Sequence, residues 1–263
     1  MDLGLKNKTA LVTGSSRGLG YATAAALAKD GCKVAINGRD ETRIKSVAEK
    51  LSKETGSQVI GLAGDVSQLG VPEKLIAETV AAFGGLDILI TNAGGPPTGN
   101  IDTLDEAAWQ KGVDLCLMLH VRLIRAALPH LRKSSAASIL TITSLSVKQP
   151  IANLLLSNSV RAGTIGLTKS LALDLGHEGI RVNSILPGWT KTERVTELMT
   201  ARATANSSTV EEETRKQSEQ SPLGRLGQPE EFANAAAFLV SPAASYITGV
   251  MLNVDGGMYK GTL

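Results

Sequence analysis

A glycine-rich loop near the N-terminus is the first stretch whose residue types suggest chemistry. Residues 13–20 read TGSSRGLG and directly follow a short apolar run. Glycines allow a tight turn and a close approach of the backbone to a phosphate, which the unpaired N–H groups and positive dipole end of a following helix then hold. The loop therefore predicts a dinucleotide pyrophosphate site, provided that a strand precedes it and a helix follows. The candidate binding residues in it are Gly14, Ser16, Arg17, Gly18, Leu19 and Gly20.

The residues after the second apolar run indicate which dinucleotide is bound. An NAD site usually has an acid here that binds the ribose hydroxyls, whereas a 2′-phosphate requires a cation. This chain has Asn37, Gly38 and Arg39. Arg39 and Arg17 of the glycine loop supply planar guanidinium groups that match phosphate oxygens. We expect NADP(H), with Asn37 and Arg39 in its site, although Asp40 favours NAD and both arginines could instead be solvated surface charges.

Apolar runs rich in Val, Ile and Leu alternate with helical periodicity along the chain. The alternation is typical of a parallel sheet covered by helices on both faces. No repeat of fixed period and no Pro- or Ser-rich linker divides the sequence, so we expect one α/β domain over residues 1–263. The predicted strands span residues 9–12, 33–36, 58–62, 87–91, 138–142, 181–186 and 250–254.

The segment 190–220 differs from the rest of the chain because it is polar and highly charged. It reads TKTERVTELMTARATANSSTVEEETRKQSEQ, and apolar helical periodicity returns only at residues 230–240. One interpretation is a solvated helix pair. The other is a mobile lid over a ligand, since lids come from weakly packed segments.

Composition narrows the range of partners and compartments. The formal net charge is +2 at pH 7, and Lys and Arg are scattered among Asp and Glu. A nucleic-acid or membrane surface is not indicated, and a small-molecule substrate is the expected partner. No run of about 18 apolar residues and no basic leader occurs. Cys32 and Cys116 have neither metal-ligand spacing nor a disulfide framework, so we expect a cytoplasmic protein without a metal site.

Five motifs in order resemble the short-chain dehydrogenase/reductase family. They are TGSSRGLG at 13–20, GDVS at 64–67, TNAGG at 91–95, RVNSILPGWTKT at 181–192 and ITGVMLNVDGG at 247–257. PLGRLGQPEE and the C-terminal VDGG are most similar to the 3-oxoacyl-acyl-carrier-protein reductase-like group. The resemblance implies a doubly wound Rossmann fold with a seven-stranded parallel sheet, and usually a homotetramer.

The same resemblance implies further cofactor contacts. Asp65 and Val66 would lie beside the adenine, and Asn92, Ala93 and Gly94 would lie along the cofactor. The nicotinamide and phosphates would be surrounded by Pro187, Gly188, Thr190 and Thr192.

The chain departs from the family where the family carries its catalytic residues. Family members have a serine after the fifth strand and a Tyr-x-x-x-Lys pair on the next helix, in which the lysine and cofactor favour the phenolate. Ser144 stands at the serine position. The stretch LLLSNSVRAG places Ser157 at the tyrosine position and Arg161 at the lysine position, and Cys116 replaces a family asparagine. No tyrosine lies between Ser144 and Arg161.

These replacements change what the site can do. A serine hydroxyl is a much weaker acid than a phenol, and an arginine stays charged and cannot shuttle a proton. Together they can bind and polarise an oxygen or a carboxylate. Lys148 could supply a proton if desolvation lowered its pKa, or it could be a solvated loop residue. Water and a cofactor ribose hydroxyl are the other proton sources, whereas Cys116 is most simply a small buried residue.

Three functions follow from these observations. The first is an NADP(H)-dependent oxidoreductase that interconverts carbonyl and hydroxyl groups by a non-standard proton path. The second is a catalytically weak or inactive NADP(H)-binding sensor or scaffold, which the missing tyrosine and lysine favour. The third is dehalogenase-like chemistry, because halohydrin dehalogenases carry arginine at the lysine position. Those relatives keep the tyrosine and have lost the glycine loop, so two features oppose the third function.

Overall fold

Seven parallel strands form a single sheet in the computed structural model, which describes residues 2–262. The spatial order is β3-β2-β1-β4-β5-β6-β7. The predicted doubly wound α/β fold is therefore confirmed. The strands are β1 (Thr9–Val12), β2 (Lys33–Gly38), β3 (Val59–Ala63), β4 (Ile88–Thr91), β5 (Ser138–Ile142), β6 (Arg181–Pro187) and β7 (Met251–Val254).

Helices cover both faces of this sheet. The runs of Val, Ile and Leu in the central strands are buried on both sides, as expected for a parallel sheet. One core cluster joins Leu27 and Phe232 to one face, and the other joins Leu75 and Leu123 to the opposite face. The helices are α1 (Gly18–Lys29), α2 (Glu41–Thr55), α3 (Val71–Phe83), α4 (Glu106–Val113), α5 (Leu119–Leu131), α6 (Leu155–Leu175), α7 (Glu193–Asn206), α8 (Val210–Ser218) and α9 (Pro229–Val240).

The strand order reverses between β1 and β4. From β1 the chain builds outward to β2 and β3, and from β4 it builds outward on the other side to β7. In open α/β sheets the crevice at the carboxyl ends of the strands, at such a switch point, is where ligands bind. The fold therefore brings the loops after β1, β4 and β5 to one edge of the sheet.

Arg181 at the start of β6 holds the C-terminal helix against the sheet. Its Nη1 donates to the carbonyl oxygen of Leu239 at 2.7 Å. Its Nη2 donates to the carbonyl oxygens of Val240 at 3.0 Å and Ser241 at 2.9 Å. Leu239 and Val240 are the last residues of α9, and Ser241 is its C-cap, so one guanidinium satisfies several carbonyls that have no partners within the helix.

The polar segment 190–220 forms two helices, α7 and α8. Its base is closed by backbone hydrogen bonds from Lys191 N–H to the Gly227 oxygen at 2.9 Å and from Gly227 N–H to the Trp189 oxygen at 3.0 Å. Arg202 of α7 lies over the Trp189 ring, 4.9 Å from its centroid, and donates to Gln217 of α8 at 2.5 Å. Residues 190–220 therefore include a helix pair, which was one of the two interpretations of the sequence, and movement of the segment as a lid stays a prediction.

No helix among residues 2–262 is both long enough and apolar enough to cross a membrane.

Candidate active site

A cavity of about 1320 Å³ lies at the carboxyl edge of the sheet. It is lined by the loops after β1, β2, β3, β4, β5 and β6 and by the first turns of α7. Two of the predicted site residues, Gly20 and Lys148, do not line it. The predicted residues that do line it are Gly14, Ser16, Arg17, Gly18, Leu19, Asn37, Arg39, Asp65, Val66, Asn92, Ala93, Gly94, Ser144, Ser157, Arg161, Pro187, Gly188, Thr190 and Thr192.

The glycine loop is fixed against the loop after β4. Gly14 has φ +56°, and a Cβ there would lie 2.8 Å from the Asn92 carbonyl oxygen. Asn92 Nδ2 donates to the Gly14 oxygen at 3.0 Å, and Thr13 Oγ1 donates to the Asn92 oxygen at 2.7 Å. Only glycine combines this backbone conformation with this approach. A Cβ on Gly20 would overlap the Gly14 oxygen, so Gly20 lets α1 pack against the loop instead of facing the cavity.

Asn37 occupies the end of β2, where NAD sites commonly have an acidic residue, and its side chain bonds to the protein backbone. Its side chain is 2% exposed. Oδ1 accepts from Gly14 N–H at 3.3 Å, and Nδ2 donates to the oxygens of Leu62 at 3.1 Å and Gly64 at 3.0 Å. The side chain thus ties β2 to β3 and to the glycine loop, and its polar groups are already used by the backbone.

The charged residues near this point suit a phosphate. Arg39 is exposed and lines the cavity. Arg17 is half-exposed and lies 3.6 Å from Glu197 of α7. Asp40, which favoured NAD in the sequence, is the N-cap of α2, and its Oδ1 accepts from Arg43 N–H at 2.9 Å. The acid is therefore engaged in capping, whereas both arginines line the cavity.

The GDVS loop is connected to the helices on the substrate side of the cavity. Asp65 Oδ1 accepts from the N–H of Ser67 at 3.0 Å and from its Oγ at 2.7 Å. Arg122 of α5 donates to the Ser67 carbonyl oxygen at 2.9 Å and to Asp114 at 2.8 Å. Asp114 begins a π-helical segment, Asp114–Met118, that joins α4 to α5. π-Helical turns are frequent at functional sites.

Three serine hydroxyls lie between β5 and α6. Ser144 follows β5, and its Oγ accepts from Ser146 N–H at 3.1 Å. Ser146 is buried, and its Oγ lies 2.9 Å from Ser157 Oγ on α6. Ser157, which the resemblance places at the tyrosine position, is thus hydrogen-bonded to a second serine. Ser146 is not among the residues predicted from the sequence, although the SLS pattern places a hydroxyl two residues beyond Ser144.

Arg161 is a buried cation in this group. It is 7% exposed, and its Nε is buried without a hydrogen-bond partner. Nη1 donates to the carbonyl oxygens of Ile142 at 3.3 Å and Thr143 at 3.4 Å. Within residues 2–262, Arg161 forms no ion pair with a carboxylate. Its side chain lines the cavity beside Ser144 and Ser157.

His120 and Cys116 pack behind Arg161 and are neutral. The His120 Nδ1 lies 2.6 Å from Thr91 Oγ1. Burial and, to a smaller extent, the charge of Arg161 lower the pKa of His120 to about 3. Burial raises the pKa of the Cys116 thiol, and Arg161 opposes this rise. The Cys116 carbonyl accepts from Thr164 Oγ1 of α6 at 2.5 Å, a contact with no signal in the sequence. Neither a thiolate nor an imidazolium is expected at neutral pH.

Lys148 points away from the cavity. Its Nζ donates to the Met251 carbonyl oxygen of β7 at 3.3 Å and lies 5.3 Å from the centroid of the Tyr259 ring. Lys148 directly follows the 3-10 turn Leu145–Val147, and its contact with Met251 places the amine at the edge strand β7. The expectation that its amine faces the substrate does not agree with this placement. No cluster of metal-ligating side chains occurs in the described part of the chain.

Comparison with known proteins gives matches over nearly the whole chain. The family profile described as Enoyl-(Acyl carrier protein) reductase matches residues 14–259. The chain is 35% identical to a 3-oxoacyl-[acyl-carrier-protein] reductase of Chlamydia muridarum, over 97% of this chain and 98% of that protein. It is 34% identical to the human Dehydrogenase/reductase SDR family member 4, over 96% of this chain and 88% of that protein.

Solved structures of reductases also superpose on nearly the whole chain. The L-sorbose reductase of Gluconobacter frateurii, complexed with NADPH and L-sorbose, superposes with a TM-score of 0.95 at 31% identity, covering 99% of this chain and 100% of that one. An NADPH-dependent reductase involved in bacilysin biosynthesis superposes with a TM-score of 0.92 at 29% identity, covering 97% of this chain and 100% of that one.

Proposed function

The chain belongs to the short-chain dehydrogenase/reductase family, and we propose that it is an NADP(H)-dependent oxidoreductase that interconverts a carbonyl and a hydroxyl group at a non-standard active site. One observation carries the proposal. A single cavity is lined both by the glycine loop with its two arginines and by Ser144 after β5. A chain that only bound a nucleotide would have no need to keep a hydroxyl at the reacting end.

Two observations support NADP(H) as the cofactor. Arg17 and Arg39 line the cavity where a 2′-phosphate would lie, and the neighbouring carboxylate of Asp40 caps α2. The similar L-sorbose reductase structure contains NADPH. When bound, this cofactor supplies or accepts the hydride. Gly14 and Gly18 would let the backbone approach its pyrophosphate, and the N-terminus of α1 would stabilise the negative charge.

The residues of the chain itself would position the substrate. Ser144 Oγ would donate a hydrogen bond to the substrate oxygen and polarise the carbonyl. Arg161 would act as a fixed cation, and the Ser146–Ser157 pair would hydrogen-bond the oxygen or an ordered water. The proton would come from water or a cofactor ribose hydroxyl, because Lys148 is bonded at the edge of the sheet. The substrate would be a small carbonyl or anionic compound.

A second candidate function is a catalytically weak or inactive NADP(H)-binding module. The bond between Ser157 and Ser146 favours it, because the hydroxyl at the tyrosine position is held by the protein. Dehalogenase-like chemistry has less support, because the glycine loop is present and lines the cavity.

The remaining parts of the proposal concern assembly and motion. We propose a homotetrameric, cytoplasmic protein of one domain over residues 1–263, by analogy with the family. Residues 190–220 would act as a lid, with the backbone bonds of Trp189 and Lys191 to Gly227 keeping the two ends of the segment together.

The test is a titration with NADPH and NADH followed by fluorescence, and then a panel of small carbonyl compounds scored for NADPH oxidation. The proposal expects tighter binding of NADPH and its oxidation with at least one compound. Tight NADPH binding without oxidation across a broad panel would favour the sensor or scaffold.

A further inference from the structure

We propose that the substrate is a 2-oxo acid, or the 2-hydroxy acid that corresponds to it, and that Arg161 binds its carboxylate. This inference rests on the proposed oxidoreductase function and names its substrate class. It starts from the electrostatics of one side chain and not from the nucleotide site.

A buried guanidinium without a counter-ion is costly. Charges that leave water are normally paired or fully hydrogen-bonded. Arg161 has an unpartnered, buried Nε, and its Nη1 forms two long bonds, of 3.3 Å and 3.4 Å, to main-chain oxygens. A bound carboxylate would supply the missing negative charge in the geometry that guanidinium groups prefer.

The other cations around the cavity do not have this property. Arg39 and Lys111 are exposed, so water solvates their charges and they need no counter-ion. Arg17 and Arg194 are partly exposed and both lie close to the carboxylate of Glu197, at 3.6 Å and 3.8 Å. Among the described cationic residues that line the cavity, only Arg161 is both buried and without a carboxylate partner.

Arg161 lies close to the end of β5, where Ser144 stands. Its Nη1 lies 3.4 Å from the oxygen of Thr143, and Ser144 is the next residue. Both side chains belong to residues that line the same cavity, so one small ligand can contact the guanidinium and the Ser144 hydroxyl. Ser157 lies one helical turn before Arg161 on the same face of α6. The short serine side chain leaves space there that a tyrosine ring would fill.

The same arrangement assists the reaction. In reduction, the carbonyl carbon gains a hydride, its oxygen gains a proton from water, and NADPH is oxidised to NADP⁺. The carboxylate is unchanged. With Ser144 on the carbonyl oxygen and Arg161 on the carboxylate, the hydroxyl would donate to the oxygen that becomes negative, and the nearby guanidinium charge would stabilise it through space.

The experiment is an equilibrium titration of the NADPH-loaded protein with oxamate, an unreactive 2-oxo-acid analogue, and with its neutral ethyl ester. Binding is followed by NADPH fluorescence or calorimetry. Oxamate should bind at least about tenfold more tightly than the ester, as expected for a charge-assisted contact. Arg161→Met should remove this difference, and Arg161→Lys should keep part of it.

Lys169→Met is the matched control. Lys169 lies on the same helix, and its amine donates to the Gly249 carbonyl oxygen at 3.4 Å outside the cavity. Its loss should leave the preference for oxamate unchanged.

Several outcomes would overturn the inference. Equal binding of acid and ester by the unmodified protein would do so, and this comparison needs no variant to fold. An Arg161→Met variant that weakens NADPH binding as much as oxamate binding would assign the guanidinium to the cofactor. If oxamate is preferred but no 2-oxo acid is reduced, the anion site stands and the oxidoreductase function fails. If NADPH oxidation occurs with neutral carbonyls only, the function stands and the substrate class fails.

Discussion

The nucleotide end of the cavity and its catalytic end are built in different ways. At the nucleotide end, Gly14 and Asn92 are held by hydrogen bonds and close contacts that involve the main chain. The Asn92 side-chain amide donates to the Gly14 carbonyl oxygen, and the Asn92 carbonyl oxygen accepts from Thr13 Oγ1. At the catalytic end, Ser146 and Ser157 bond to each other through side chains, and Arg161 binds two carbonyl oxygens at the end of β5. Main-chain geometry permits few residue types, whereas side-chain contacts can be replaced while the fold persists. The proposed departure from the family motifs therefore falls at the end of the cavity that is held by side-chain contacts.

Restoring the family pair tests whether the catalytic end alone limits the reaction. Ser157→Tyr with Arg161→Lys should raise NADPH-dependent carbonyl reduction by about 10²- to 10⁴-fold, the contribution of positioned acid–base groups. Each single change should do less, because a phenol without the lysine keeps its ordinary acidity and a lysine without the phenol has nothing to activate. Steady-state rates of reduction of a β-keto ester measure this. A double variant that binds NADPH and stays inert would place the limitation elsewhere.

Gly14→Val should damage the nucleotide end without a change in any charged group. The new side chain would collide with the Asn92 carbonyl oxygen, and residue 14 has a positive φ that valine rarely adopts. We expect NADPH affinity to fall by about 100-fold or more, as two or more hydrogen-bonded contacts are lost. Gly166→Ala is the control, because nothing lies within 4 Å of a Cβ there, and it should raise stability by about 0.5–1 kcal/mol. Unchanged NADPH affinity in Gly14→Val would contradict the assignment of the loop.

Arg39→Ala tests the cofactor preference. Loss of a charge-assisted contact to the 2′-phosphate should reduce the preference for NADPH over NADH by about 10- to 100-fold. Fluorescence titrations with both cofactors measure it. Arg43→Ala removes a nearby exposed cation that does not line the cavity and should have little effect. Equal affinity of the unmodified protein for both cofactors would be evidence against NADP(H) specificity.

His120 links the two ends and gives a prediction for pH. Its folded pKa of about 3 lies below its ordinary value of 6.5, so the neutral form is favoured in the folded state. Its contribution to stability is therefore complete above pH 6.5 and is lost as the pH falls towards 3, by up to about 1.4 kcal/mol per pH unit. Denaturant unfolding between pH 7 and pH 4 should show this slope, and His120→Asn should reduce it. An unaltered slope in the variant would assign the acid sensitivity to other groups.

The sequence predicted the fold because the strands are apolar runs whose composition itself indicates burial. The bounds differ most at β2, which continues through Asn37 and Gly38. Asn37 is polar, and nothing in the sequence shows that its side-chain amide forms hydrogen bonds to β3, to the residue after it and to the glycine loop.

The candidate site was predictable where a motif fixes the backbone and less so where tertiary contacts orient side chains. The direction of Lys148 depends on a 3-10 turn and on the position of β7, which lies about 100 residues later. The Ser146–Ser157 bond and the Thr164 contact to the Cys116 carbonyl likewise join separate elements. Spacing along the chain carries no information about these distances.

The bonds of Arg181 to the end of α9 have a consequence for local opening of the molecule. They join the first residue of β6 to the last carbonyls of a helix that lies more than 50 residues later in the chain. The far end of β6 carries Pro187 and Gly188 at the cavity. Backbone amides of β6 and of the last turn of α9 should therefore exchange their hydrogens with solvent as one cooperative unit, at a rate distinct from that of α7 and α8.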